Sequence, residues 1–315
     1  MKLNKTELPD KKTLDWLLEG DPSIRWQVMK DLINKPENLI NKERIEITKR
    51  GWGAKLLKRQ DKEGTWAGSL YSLKWISTTY TVLLLRRLGL SPSHPQAKLA
   101  CSILLSKGFY KDGGINYFSS LSHSETCVTG MILSILSYFQ FDDQRIKKLV
   151  KFLLEQQMAD GGWNCRSFKG DTHSSFHTTI SVLEGLREYE KFSNSGLKTR
   201  RSQLAGVEFL LKHKLFRSHR TGKVFDSRMI RFSFPIGWRY NVLRALDYFQ
   251  EANIPYDERM NEAVELVVNR KTINGKWVLQ NRHPGKTYFE MEQVGKPSRW
   301  ITLGALRVLK KYNTG

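Results

Sequence analysis

His123 with Cys127, and His173 with His177, are two pairs whose residue types and four-residue spacing could do chemistry together. On a helix, residues four apart stack on one face, so each pair predicts two donors looking the same way. Imidazole and thiolate are zinc ligands with bonds of about 2.0–2.3 Å, and Asp171 and Cys165 lie close by in the chain. Read as a Zn2+ centre, the set is His123, Cys127, Asp171, His173 and His177. Four closed ligands would make it structural; three with an open position would activate water or a thiol. Read without metal, Asp171, His173, His177 and Cys127 form a catalytic group in which Cys127 is a thiolate paired with an imidazole. The plainer alternative is a set of polar residues on a cavity wall, satisfied by backbone and water, since a spacing of four between histidines is common. Whether Cys165 joins is open.

Around these positions recur Trp75, Tyr80, Trp238, Tyr240 and Trp300. Aromatic walls suit an isoprenoid-like chain, and ring faces stabilise a cation. The segment from Lys212 to Arg231 adds Arg217, Arg220, Lys223 and Arg231. Beside helix N-termini, such cations would attract an anion, of which a diphosphate is the natural example. Core packing for the rings and a solvated loop for the cations are the competing readings.

The elements that must position these residues come from a repeat. Five times the chain runs through an amphipathic helix, a Gly/aromatic loop and a second, Leu-rich helix. The loops are Asp61 to Trp66, Asp112 to Tyr117, Asp160 to Trp163, Thr221 to Phe225 and Asn274 to Trp277. Asp-Gly and Asn-Gly supply a positive-φ turn, after which an aromatic or aliphatic side chain plugs back onto the core. The second helices align through Leu84 to Leu88, Ile132 to Leu136, Val182 to Leu186, Val242 to Leu246 and Ala305 to Leu309, each with an apolar stripe at three- and four-residue spacing. Superimposing them makes Thr79, Cys127, His177, Trp238 and Trp300 equivalent, with Trp75, His123, His173, Phe234 and Lys296 one turn earlier. Helices over roughly 96–107, 145–157, 201–213 and 258–269 form the outer layer.

Residues 11–59 carry further helical patterns, with Asp21-Pro22-Ser23 a capped helix start, and supply a sixth pair. The predicted fold is all-α: an (α/α) toroid of about six helix hairpins around a central cavity. Residues 1–50 complete the ring and residues 51–315 carry the repeats, all in one domain.

On the loops Gln156 to Trp163, Gln60 to Trp66 and Ile273 to Trp277, the chain resembles the superfamily of squalene-hopene cyclases and protein prenyltransferase β-subunits, and is similar to short bacterial squalene-cyclase-like proteins. The resemblance covers most of residues 51–312. It implies a toroid with an aromatic-lined cavity, and a transferase or cyclase. The cyclases' acidic Asp-x-Asp-Asp motif is missing, Asp142-Asp143 being the nearest pair. The prenyltransferases' zinc-binding Asp and Cys fall on Asp171 and His173, and their later His on Trp238, which cannot ligate a metal.

Charge bounds the partners. Among 315 residues, Lys and Arg number 52 against 31 Asp and Glu, a net charge of +21 that favours anionic partners. The readings are therefore an enzyme acting on a small apolar or diphosphate-bearing ligand, a non-catalytic module binding nucleic acid or an acidic protein, and a repeat scaffold. No recognised nucleic-acid motif accompanies the charge. Three cysteines without a CxxC predict reduced thiols, and the lack of a long uncharged apolar run predicts no membrane span and a cytoplasmic protein.

Overall fold

In the computed structural model, which describes residues 9–193 and 197–312, the chain is a ring of helices. The elements in order are α1 (Lys11–Leu18), α2 (Pro22–Asp31), α3 (Glu37–Ile45), α4 (Gly51–Leu57), α5 (Thr78–Leu88), α6 (Pro95–Gly108), α7 (Thr126–Tyr138), α8 (Arg145–Glu155), α9 (Phe176–Ser193), α10 (Leu197–Lys212), α11 (Val242–Glu251), α12 (Asn261–Val268) and α13 (Arg299–Tyr312). Only isolated β-bridges accompany them among the described residues.

Six helices form the inner ring: α2, α5, α7, α9, α11 and α13. Each follows an outer partner, respectively α1, α4, α6, α8, α10 and α12, so the protein is an all-α toroid of six hairpins. The seam is made by α2, which packs on α13 and donates the Trp26 indole N–H to the Leu88 carbonyl at the end of α5, at 2.9 Å. Asp21 caps α2 and Pro22 opens it, the arrangement its sequence predicts.

One device repeats around the ring. The loop tryptophans Trp66, Trp163 and Trp277 are fully buried, and each donates its indole N–H to the carbonyl ten residues earlier on the outer helix: Leu56 at 2.8 Å, Leu153 at 2.7 Å and Val267 at 2.7 Å. Their backbone N–H groups go to the hydroxyls of Thr78, Thr179 and Thr302 on the next inner helix, each at 3.0 Å. Ile115 makes the same backbone bond to Thr129 at 2.9 Å. Outer helix, loop and inner helix are thereby tied as a unit, with no buried amide unpaired there.

This register corrects the sequence alignment in two places. Two residues before each anchoring threonine stand Ile76, Cys127, His177 and Trp300, so Ile76 replaces Thr79. In the fourth copy, Val242 N–H donates to Met229 O as Ser175 does to Trp163, Glu125 to Ile115 and Ser298 to Trp277; the equivalent of His177 is therefore Arg244, not Trp238. A hairpin paired at Arg217 and Val224 lengthens that copy and hid the shift.

The tightest inner contact is α7 against α9. A Cβ on Gly185 would stand 2.5 Å from the Gly130 carbonyl oxygen, and one on Gly130 would stand 2.9 Å from Ser181 O. The two helices can approach backbone to backbone only because both positions are glycine.

Candidate functional site

The centre of the ring, lined by all six inner helices, is charged. Glu184 accepts from Arg244 at 2.7 and 2.9 Å and lies 3.4 Å from Arg86 and 3.3 Å from Arg87. Arg307 bridges Asp247 at 2.9 Å, Asp31 at 3.1 Å and Gln27 at 2.9 Å. Burial opposes ionisation of Glu184, but Arg244 and Arg87 overcome it and hold the carboxyl well below the usual range. Burial lowers Arg87 to about 9 despite Glu184 beside it. Trp26, Tyr138, Tyr248 and Trp300 also border this centre, while Trp75 and Tyr80 line a separate pocket.

At the end of the ring where the inner helices begin, Asp171, His173 and His177 line one cleft with His213, His219, Arg220, Asp226 and Arg228. Its walls are the loop before α9, the start of α9 and the hairpin after α10. His213 Nδ1 lies 2.8 Å from the Phe209 carbonyl, so Nδ1 carries the proton and Nε2 accepts from His219 Nδ1 at 2.9 Å. That leaves the exposed His219 ring with its Nε2 lone pair turned outward. Arg220 donates to His173 Nε2 at 3.0 Å, while Asp171 is held by Arg166 and Asn164, each at 3.4 Å.

His177 has a positioning role. Its Nδ1 accepts the Tyr240 backbone N–H at 2.8 Å, and its ring stands edge-on to Trp238 at 5.0 Å. Burial, then repulsion from Arg244 and Arg239, lowers it to about 4. An unfolded histidine titrates near 6.5, so between these values the unfolded chain binds more protons and stability falls as pH falls. From about pH 7.5 to about pH 5 this group alone should remove roughly 2 kcal/mol. His177→Gln keeps an acceptor for Tyr240; urea titrations at the two pH values should show a correspondingly smaller acid loss in the variant. An identical loss in both proteins would contradict the assignment.

His123 and Cys127 stand apart from that cleft. The His123 ring packs on Phe168 at 3.6 Å, and its Nε2 is buried without a partner among the described residues. Cys127 meets Cys165: the Cys127 backbone N–H donates to Cys165 Sγ at 3.0 Å, and Thr178 Oγ1 donates to the same sulfur at 3.5 Å. Among the described residues no three His, Cys, Asp or Glu side chains converge to hold a metal, so His123, Cys127, Asp171, His173 and His177 do not fit one zinc site.

Trp75 and Tyr80, edge to face at 5.0 Å, line an apolar pocket with Phe234, Tyr288, Phe289 and Met291. Trp75 is fixed by its own indole N–H to Pro284 O and its backbone N–H to Lys286 O, both at 3.0 Å. Trp238 touches His177 of the cleft, and Lys74 Nζ stands 5.6 Å from its ring. Trp300 stacks on Phe234 at 4.4 Å and borders the charged centre. Tyr240 is core, its hydroxyl spent on Leu215 O. Of the basic residues, Arg217 is neutralised by Glu262, Arg220 faces the cleft, Lys223 is exposed on the hairpin and Arg231 is exposed beyond it.

Sequence reasoning passed over the His213–His219 pair, whose six-residue spacing fits no helix face and needs the hairpin to close it. It also passed over Glu125, a half-buried carboxyl at the start of α7 that burial raises against the pull of Lys74.

No family model and no curated protein matches the sequence. Among solved structures, the chain is similar to a protein from Actinoplanes at 14% identity and a TM-score of 0.50, over 96% of this chain and 97% of that one. It is also similar to the type II terpene cyclase MstE from Scytonema at 16% identity and a TM-score of 0.47, over 92% and 88% of the two chains. A polysaccharide lyase aligns at 11% identity and a TM-score of 0.46, over 94% and 95%. The likeness to the Actinoplanes protein extends over the whole ring and is a likeness of fold.

Proposed function

We propose that the chain is an enzyme acting on an amphiphilic, isoprenoid-like substrate, with the apolar chain in the Trp75–Tyr80 pocket and an anionic head, such as a diphosphate, in the cleft of His173, His219 and Arg220. The observation supporting this reading is the placement of Trp238, edge-on to His177 of the cleft at 5.0 Å on one side and backed by Gly237 against Trp75 of the pocket on the other. Arg220, already ordered on His173, would bind the head through charge-assisted hydrogen bonds. Departure of that head leaves positive charge on the chain, which the faces of Trp75 and Trp238 would stabilise. His219, its Nδ1–H committed to His213, would take up the released proton at Nε2. No step uses a metal, because the donor set does not converge.

Calorimetry with farnesyl diphosphate, farnesol and inorganic pyrophosphate tests the division of labour. Arg220→Ala should weaken farnesyl diphosphate and pyrophosphate by about 10-fold and leave farnesol unchanged, given that a charged hydrogen bond is worth about 1.5–3 kcal/mol. Trp75→Ala should weaken farnesyl diphosphate and farnesol and leave pyrophosphate unchanged. Absence of binding by all three ligands, or insensitivity to both substitutions, would overturn the proposal. Tight, strongly salt-dependent binding of RNA or DNA would favour the nucleic-acid module instead.

A further inference from the structure

Cys127 and Cys165 come from different repeats, 38 residues apart, yet the Cys127 backbone N–H donates to the Cys165 sulfur. Cys127 is the second residue of α7, and Cys165 sits in the loop that precedes α9. Because the Cys165 sulfur lies 3.0 Å from the Cys127 backbone nitrogen, it is within the span of Cys127's own side chain. Both cysteines are part-exposed, whereas Cys101, the third, is fully buried in α6, where burial pushes its thiol up to about 12.

The environment separates the two sulfurs. Cys165 Sγ receives the Cys127 N–H at the start of a 13-residue helix and the Thr178 hydroxyl, both of which favour a thiolate. The contact with Cys165, then burial, holds the Cys127 thiol well above its ordinary value, so it keeps its proton. One nucleophilic sulfur beside one protonated partner is the division of roles that a peroxide-oxidised dithiol uses.

We propose that Cys127 and Cys165 form a reversible, peroxide-sensitive disulfide that fastens the wall of the histidine cleft to α7. The Cys165 thiolate attacks the peroxide O–O bond, giving a sulfenic acid and releasing hydroxide. The Cys127 sulfur then attacks the sulfenic sulfur, forming the S–S bond, while the Cys127 proton and the sulfenic OH leave as water. The peroxide is the two-electron oxidant, and a dithiol reductant reverses the step. The bond would anchor the stretch from Cys165 to Ser175, which carries Asp171 and His173, and this inference stands whether or not the cleft binds a diphosphate.

The full chain, reduced and then exposed to hydrogen peroxide, should lose about 2 Da and two of its three titratable thiols. Peptide mapping without reductant should find Cys127 joined to Cys165, Cys101 should remain free, and dithiothreitol should restore both mass and thiols. The oxidised form should melt about 5 °C higher, the shift expected for closing a loop of this length. In Cys127→Ser, Cys165 should instead accumulate as sulfinic acid. Cys127 still free beside an over-oxidised Cys165 in the unsubstituted chain, a link through Cys101, or no thiol loss while Cys101 remains protected would each overturn the proposal.

Discussion

Replacing Glu184 by alanine is expected to destabilise the protein by about 3–5 kcal/mol, the cost of stranding a buried charge. Here three guanidinium groups, those of Arg86, Arg87 and Arg244, lose the one carboxylate that all of them reach. Arg244 is the most dependent: its side chain is only 6% exposed, and two of its donors go to Glu184. Glu184→Gln retains an acceptor but not the charge, so it should fall between alanine and the unsubstituted protein. The pH dependence has a definite sign. Because the folded carboxyl titrates well below its unfolded value, its contribution is complete above about pH 4.5 and is lost as pH falls toward the folded value. Urea unfolding should therefore show a gap between unsubstituted and alanine proteins that is full near neutrality and narrows in acid. A midpoint within experimental error of the parent at neutral pH would mean that the arginines find other partners and that the charge network is not what holds the ring's centre.

That network shows where sequence reading stops. The Leu-rich ends of the inner helices are plain in the chain, and each segment as aligned on sequence is interrupted at its third position: Arg86, Ser134, Glu184, Arg244 and Arg307. Four of these five meet in the centre of the ring. The signal was present, but a charged residue on an amphipathic helix is ordinarily on the solvent face, and only closure of the ring turns that register inward. The fold itself was legible because the Gly/aromatic loops are local: turn chemistry and one plug per repeat depend on neighbours a few residues away. The candidate site was not, because it depends on contacts between repeats. His173 and His177 read as a pair through their spacing, yet in space His173 pairs with Arg220, His177 with the Tyr240 backbone, and Cys127 with Cys165. Each true partner lies on a loop whose path the spacing does not encode: Arg220 on the hairpin after α10, Tyr240 just before α11 and Cys165 before α9.

The same contrast fixes the second large effect, in which Trp163→Ala should cost about 3–5 kcal/mol, as expected for emptying the space of a fully buried tryptophan. Two terms add. Removing the indole opens a cavity between α8, α9 and α10, where Gly206 already stands so close that a Cβ on it would meet the ring at 2.8 Å. It also strands the Leu153 carbonyl, which receives the indole N–H at 2.7 Å near the end of α8. Trp163→Phe isolates the second term, since it fills most of the volume but supplies no donor, and it should cost about 1–3 kcal/mol. Trp75→Ala serves as the comparison: its ring is part-exposed on a pocket wall, so the loss in denaturant midpoint should be smaller than for Trp163 even though the same atoms are removed. If instead the two alanine variants lost equal stability, the distinction between a tryptophan that ties a repeat together and one that faces a ligand pocket would fail, and with it the reason for assigning Trp75 to substrate.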